Sequence, residues 1–208
     1  MIKRLAILGA SGHGRVVADA AECIGTWSEI VFFDDTWPEQ SQNGIWAVHG
    51  DTNVLLSSLE KFDGVIVAIG DNRVRRQKLA ILLEKQAPIT SIFHPTAVVS
   101  RHTNIGFGCA LFAGTIVNVD SKLGIGCIVN TGATIDHDCV LGDCVHVSPG
   151  AHLAGGVSVG EQSWIGIGAI VRQSIIIGRE AMVGAGATVV KSVPDYVTVV
   201  GTPARIVK

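Results

Sequence analysis

The chain has 208 residues, a formal net charge of −2 and a mean hydropathy of +0.43. That balance argues against a general nucleic-acid or anionic-membrane binder, and no continuous apolar run is long enough to span a bilayer. The five cysteines, Cys23, Cys109, Cys127, Cys139 and Cys144, form no CxxC metal pattern, and their odd number fits reduced thiols in a cytoplasm.

The first 93 residues alternate strand and helix signals. LAILGA (5–10), EIVFFDD (29–35) and GVIVAIG (64–70) are apolar runs of buried-strand type. The opening apolar stretch runs straight into a Gly-rich turn, so it reads as a strand and not as a signal peptide. Val16, Val17, Ala20, Ala21 and Ile24 have helical spacing. In DNRVRRQKLAILLEKQ (71–86), Leu79, Leu82 and Leu83 share one side and the cations take the other. This order implies a small parallel α/β sheet, Rossmann-like in class. The turn Gly9-Ala10-Ser11-Gly12-His13-Gly14 follows the first strand and opens the first helix. Its N–H groups can face an anion with the help of the helix dipole, although its spacing departs from the dinucleotide fingerprint. Asp34 and Asp35 end the second strand and Gly70 and Asp71 the third, at the edge where open α/β sheets collect ligands.

From Val99 to Val189 every sixth residue is Val, Ile or Leu: 99, 105, 111, 117, 123, 129, 135, 141, 147, 153, 159, 165, 171, 177, 183, 189. A period of six is neither helical nor that of a simple strand, so it marks an architectural repeat. The residue two before each aliphatic is mostly small, as at Cys109, Ala133 and Ser163, so both point inward from one short strand. Gly106, Gly124, Gly142, Gly160 and Gly178 recur every eighteen residues, each at a position read as a bend. Three six-residue units therefore make one coil, and coils stack. These residues resemble the hexapeptide-repeat proteins, whose fold is a left-handed parallel β-helix. The expected division is an α/β domain over 1–93 and a β-helix over 94–208.

With GASGHGRVVADAAE, FFDD, AIGDNRVRR, NTGATIDHDCVLGDCVHVSPGAHLAGGVSVG and VGTPAR, the resemblance extends over nearly the whole chain. It is to the bacterial sugar acetyltransferases, which include the UDP-4-amino-sugar N-acetyltransferases of the bacillosamine pathway and the sialic acid O-acetyltransferases. His137 lies two residues after Ile135 and is expected to point out of the coil. An imidazole there can serve as a base near neutral pH, and either Asp136 or Asp138 could orient it. The resemblance assigns His137 as catalytic base, with Asp138 in place of a Glu that raises its basicity. It implies acetyl-CoA contacts at His146, Gly155, Ile167 and Ala185, and a sugar contact at Asn130. For the nucleotide-linked sugar, the turn and the strand ends at the carboxyl edge offer Ser11, Gly12, His13, Asp34, Asp35 and Gly70. Arg205 or Lys191 could meet phosphates of the coenzyme.

The implied reaction is direct acetyl transfer from acetyl-CoA to the 4-amino group of a nucleotide-linked sugar, UDP first, then dTDP or GDP. The implied assembly is a homotrimer in the cytoplasm, with no resident metal, no nucleic acid and no membrane insertion. O-acetylation of sialic acid is the alternative acceptor chemistry. Two further readings are a zinc carbonic anhydrase built on His137, His146 and His152, and a scaffold that only senses nucleotide sugars.

Overall fold

The computed structural model describes residues 3–207. The chain divides into two compact units, Met1–Pro95 and Thr96–Lys208.

The first unit is a three-stranded parallel sheet with helices between its strands. β1 (Arg4–Leu8) leads through α1 (Gly12–Ile24) to β2 (Glu29–Phe33), and a short hairpin, β3 (Gln42–Asn43) and β4 (Trp46–Ala47), follows. After α2 (Thr52–Leu56) come β5 (Gly64–Val67) and α3 (Asn72–Glu84). The sheet order is β2-β1-β5, in parallel register with Leu5 beside both Ile30 and Gly64. The winding of the strands therefore reverses about β1. The loops after β1, β2 and β5 meet at the carboxyl edge of this switch point, where open α/β sheets bind ligands. Leu5, Ile7, Phe32, Val65 and Ile66 are fully buried, as expected of strands covered on both faces.

Two details of the helices differ from the periodicity. Val16 is 43% exposed and Leu83 equally so, while Ala18 completes the buried side of α1. More consequentially, Arg75 lies on the inner side of α3 and is 1% exposed. Its Nη1 donates to the carbonyls of Ile69 and Gly70, and its Nη2 donates to Asn72 Oδ1 at 2.7 Å. A buried guanidinium is tolerated where carbonyl and amide oxygens take its protons, and periodicity does not reveal such oxygens.

The second unit is a left-handed parallel β-helix of three flat walls. One wall stacks Val98–Val99, Ile116–Val117, Thr134–Ile135, His152–Leu153, Ile170–Val171 and Thr188–Val189 (the Thr134 wall). The next stacks Asn104–Ile105, Lys122–Leu123, Val140–Leu141, Ser158–Val159 and Ile176–Ile177 (the Val140 wall). The third runs from Ala110–Leu111 through Ile128–Val129, His146–Val147, Trp164–Ile165 and Met182–Val183 to Thr198–Val200 (the Ile128 wall). Arg205–Ile206 folds back antiparallel on that last strand.

The repeated aliphatics and their small partners fill the core. Ile135, Val147, Ile165 and Val171 are fully buried, as are Cys109, Cys127, Ala133, Cys139 and Ser163. Each aliphatic closes a two-residue strand, and a separate two-residue turn makes the corner. The first turn residue is where a side chain leaves the coil.

The eighteen-residue glycines have a reason other than bending. None of Gly106, Gly124, Gly142, Gly160 and Gly178 is in the left-handed region. A Cβ on Gly124 would lie 2.7 Å from the carbonyl carbon of Gly142, and one on Gly160 would collide with the Arg179 backbone nitrogen. These glycines let adjacent coils approach. The left-handed φ falls instead on the second residue of the turns from Phe107–Gly108 to Ala185–Gly186, at Gly126, Gly132, Asp138 and Cys144 among others.

Candidate active site

His137 is the first residue of the turn joining the Thr134 wall to the Val140 wall, and Asp138 is the second. Asp138 has φ 59°, a conformation open to Asp more readily than to most residues. This backbone folds its carboxylate onto its neighbour, and Asp138 Oδ2 lies 2.8 Å from His137 Nδ1. Asp136 has a different task. Its Oδ1 accepts the His137 backbone N–H at 2.8 Å and the Asn118 amide at 2.9 Å. The two carboxylates that the sequence leaves equivalent are thus separated: Asp138 holds the ring, and Asp136 holds the turn.

The pair is open to solvent, with the side chains of His137 and Asp138 56% and 66% exposed. The bond to Asp138 raises the His137 pKa above its usual value, and the charge of Asp136 adds to this. With Nδ1 engaged by a carboxylate, Nε2 is the nitrogen placed to accept a proton. A shallow cleft of about 350 Å³ lies beside this corner, lined in part by Asn118, Thr134, Asp136, His152 and Ile170. Gly155 sits one coil on, against the imidazole.

His146 stands on another face of the same coil. It is 4% exposed on the Ile128 wall, its ring 4.1 Å from that of Trp164, and its Nε2 is 3.3 Å from the Asn130 amide nitrogen. Together with Ile167, Met182 and Ala185 these residues line a cleft of about 360 Å³. The structure therefore gathers Asn130, His146, Ile167 and Ala185, and separates them from His137, Asp138 and Gly155. Asn130, expected beside the sugar, stands next to His146, a residue expected beside the coenzyme. A second cleft of about 360 Å³ is lined by Lys191, Ser192, Val199 and Arg205.

His137, His146 and His152 occupy a corner and two different walls. Among the described residues no group of three or more His, Cys, Asp or Glu could hold a metal ion. Cys139 is fully buried and its thiol donates to the Ala154 carbonyl; burial pushes its pKa up, which makes it a poor nucleophile.

In the first unit the predicted residues meet at the carboxyl edge. Ser11 is the N-cap of α1 with no side-chain cap bond. Gly14 is required by contact: a Cβ there would collide with the Gly9 carbonyl. Asp34 Oδ2 accepts the Ala10 N–H at 2.6 Å, and Oδ1 accepts from Thr36. Asp35 takes Lys78 at 2.6 Å and the Thr52 N–H and hydroxyl. Burial pushes both carboxyls up, and these bonds outweigh it and hold both below the usual carboxylate range. The pair thus braces the Gly-rich turn and the next loop. Burial and the nearby Arg75 charge push His13 down to about 4, so it is neutral at pH 7.

Residues 4–82 match the family described as the PglD N-terminal domain. The acetyltransferase domain of PglB from Neisseria gonorrhoeae FA1090, solved with acetyl coenzyme A, is 44% identical over all of both chains, with a TM-score of 0.95. PerB from Caulobacter crescentus, solved with CoA and GDP-perosamine, is 38% identical over 100% of this chain and 99% of its own, with a TM-score of 0.92. WeeI from Acinetobacter baumannii AYE is 31% identical over 99% and 100%, with a TM-score of 0.90.

The chain belongs to the hexapeptide-repeat sugar N-acetyltransferases.

Within this sugar N-acetyltransferase fold, the sequence reading missed Asn118, Trp164, Lys78 and Arg75. Asn118 and Trp164 carry a usable signal, since they lie eighteen residues from Asp136 and His146 and so stack on them. Lys78 carries none because its partners, Asp35 and Thr52, are distant in sequence, and Arg75 carries none because its main partners are main-chain carbonyls of the preceding loop.

Proposed function

We propose that the chain transfers the acetyl group of acetyl-CoA to the 4-amino group of a UDP-linked amino-deoxy sugar, for bacterial glycan synthesis in the cytoplasm. The observation that carries the reading is the 2.8 Å contact between His137 Nδ1 and Asp138 Oδ2 on an exposed corner. The amine attacks the thioester carbonyl and His137 Nε2 takes its proton. The new amide forms as the C–S bond breaks, and the thiolate recovers a proton from the imidazolium. A positioned base contributes about 10²–10⁴ in rate, or about 3–5 kcal/mol of barrier; alignment of the two substrates adds to it. No covalent enzyme intermediate is needed.

Acetyl-CoA fits the cleft of Asn130, His146, Trp164, Ile167 and Ala185, with the cations Lys191 and Arg205 further along the coils available to phosphate. The nucleotide fits the edge formed by Ser11, Gly12, His13 and Gly70, with the N–H groups of α1 toward phosphate and Asp34 and Asp35 behind the turn. The resemblance of the sequence to the UDP-4-amino-sugar N-acetyltransferases supports the UDP sugar as acceptor. A GDP-linked acceptor is the second reading, favoured by the full-length likeness to the GDP-perosamine-bound enzyme. A homotrimer completes the scheme: His137 occupies a corner and the coenzyme cleft the Ile128 wall, so a neighbouring copy would bring base and thioester together.

The test is thiol release from acetyl-CoA against a panel of UDP-, GDP- and dTDP-linked amino sugars. Turnover confined to a UDP-linked 4-amino sugar is expected. Turnover with the GDP sugar alone would replace the acceptor, and no release with any amine would overturn the proposal.

A further inference from the structure

We infer that Gly155 is a positioning residue whose missing side chain leaves the seat on which the His137 imidazole rests in line with Asp138. The inference deepens the reading of His137 as base and rests on it.

Three observations carry it. First, a Cβ on Gly155 would lie 2.6 Å from His137 Cε1, 2.6 Å from Nε2 and 3.2 Å from Cδ2, so its three nearest neighbours are all atoms of that ring. Second, Gly155 does not need to be glycine for its backbone, since its φ is outside the left-handed region. Third, it is alone in its phase. The first turn residues from Phe107 to Ala185 recur every six positions, and Gly155 is the one glycine among them. The glycines of the next phase, such as Gly156 at φ 70°, answer a backbone demand. At Gly155 the atoms that a Cβ would meet are those of the ring above it.

The gap between ring and coil is fixed. The Gly156 N–H donates to the His137 carbonyl at 2.9 Å, and the Ser174 N–H donates to the Gly155 carbonyl at 3.0 Å. A methyl group at 155 therefore displaces the imidazole and leaves the backbone in place. Displacement pulls Nδ1 from Asp138 Oδ2 and moves Nε2 from its aim, and a misplacement of about 1 Å can cost about 10²-fold in rate. The charged groups facing the ring are Asp138, which holds it, and Asp136, which acts on it through space.

The experiment follows the His137 ring by nuclear magnetic resonance and pairs this with kinetics. In the wild-type protein an Overhauser contact between the Gly155 Hα protons and His137 Hε1 is expected, and its absence overturns the seat without any substitution. Gly155→Ala should move the His137 titration down toward the ordinary value of about 6.5 and add no further movement in an Asp138→Asn background. It should lower kcat by about 10²-fold and leave the KM for acetyl-CoA within about a factor of two. An unmoved titration, with the loss confined to KM for acetyl-CoA, would make Gly155 a coenzyme contact and overturn the inference. His137→Ala separates the two claims. If that variant keeps wild-type kcat the base assignment falls, while the Overhauser contact and the titration still decide the seat.

Discussion

A histidine on an exposed turn is chemically useful only if something fixes its tautomer, and here one backbone angle does so. The left-handed φ of Asp138 turns its carboxylate onto His137 Nδ1 and leaves Asp136 to the backbone. His137→Ala should therefore lower kcat by about 10²–10⁴ in the thiol-release assay. Under the proposed mechanism the neutral ring is the base, and its pKa is raised, so turnover should fall on acidification through a midpoint above the ordinary value of about 6.5. Asp138→Asn removes the raising bond, so the acid limb of the rate profile should move to lower pH. His13 shows the opposite sign. Its folded pKa of about 4 lies below its unfolded value, so the unfolded chain binds the proton first and stability falls with pH between about 6.5 and 4. The loss reaches about 3 kcal/mol below that range. Urea unfolding at about pH 7 and pH 5 should show a shallower pH dependence in His13→Gln than in the wild type. In the sequence, the Asp-His-Asp segment marks the site but does not rank its two carboxylates. A turn angle ranks them, and the angle follows from the coil register.

Among the elements, the coil is set by three interleaved periods of six and a fourth of eighteen. The aliphatic series and its small partners are legible because each core position recurs with the same demand. Ile135→Ala opens a cavity in a position that is fully buried and should cost about 2–5 kcal/mol in urea unfolding. The two kinds of contact glycine should respond differently to the same methyl group. In Gly124→Ala the new carbon meets the backbone of the next coil at 2.7 Å, which the stack can relieve only by opening, so about 1–3 kcal/mol of stability should be lost. In Gly155→Ala the obstacle is a ring that can swing away, so the unfolding midpoint should stay nearly constant while turnover falls. In the sequence Gly124 belongs to the eighteen-residue series and Gly155 does not, but neither placement says whether a Cβ there meets backbone or a ring. What each Cβ would meet lies eighteen residues away or on a side chain, and so separates them only in three dimensions. The helices of the first unit show the converse case. Periodicity placed the cations of α3 in solvent, yet Arg75 is buried because the loop carbonyls of Ile69 and Gly70 take its protons.

On the scale of the whole molecule, the proposed base and the proposed coenzyme cleft lie on different sides of a β-helix whose coils are hydrogen-bonded throughout, and no small motion of one chain closes that separation. Under the proposed trimer, subunits of His137→Ala and of a cleft variant such as His146→Ala should each be impaired alone. Co-refolded mixtures should recover a fraction of wild-type turnover, because some interfaces then carry an intact His137 facing an intact cleft. No recovery beyond the sum of the separate activities would place both halves of the site within one chain. Among the described residues no helix is long and apolar enough to cross a membrane. The sequence by itself determined the β-helix, the order of the two units, the inward cysteines and the outward His137, since each follows from a short repeating pattern in which neighbours impose the constraint. Only the tertiary structure decided which aspartate holds the ring, that Asn130 stands with His146, that Arg75 is buried, and that Gly155 faces the imidazole. Those facts depend on turn angles, contact distances and hydrogen-bond directions; spacing shows which residues stack or neighbour one another, but not which atoms meet.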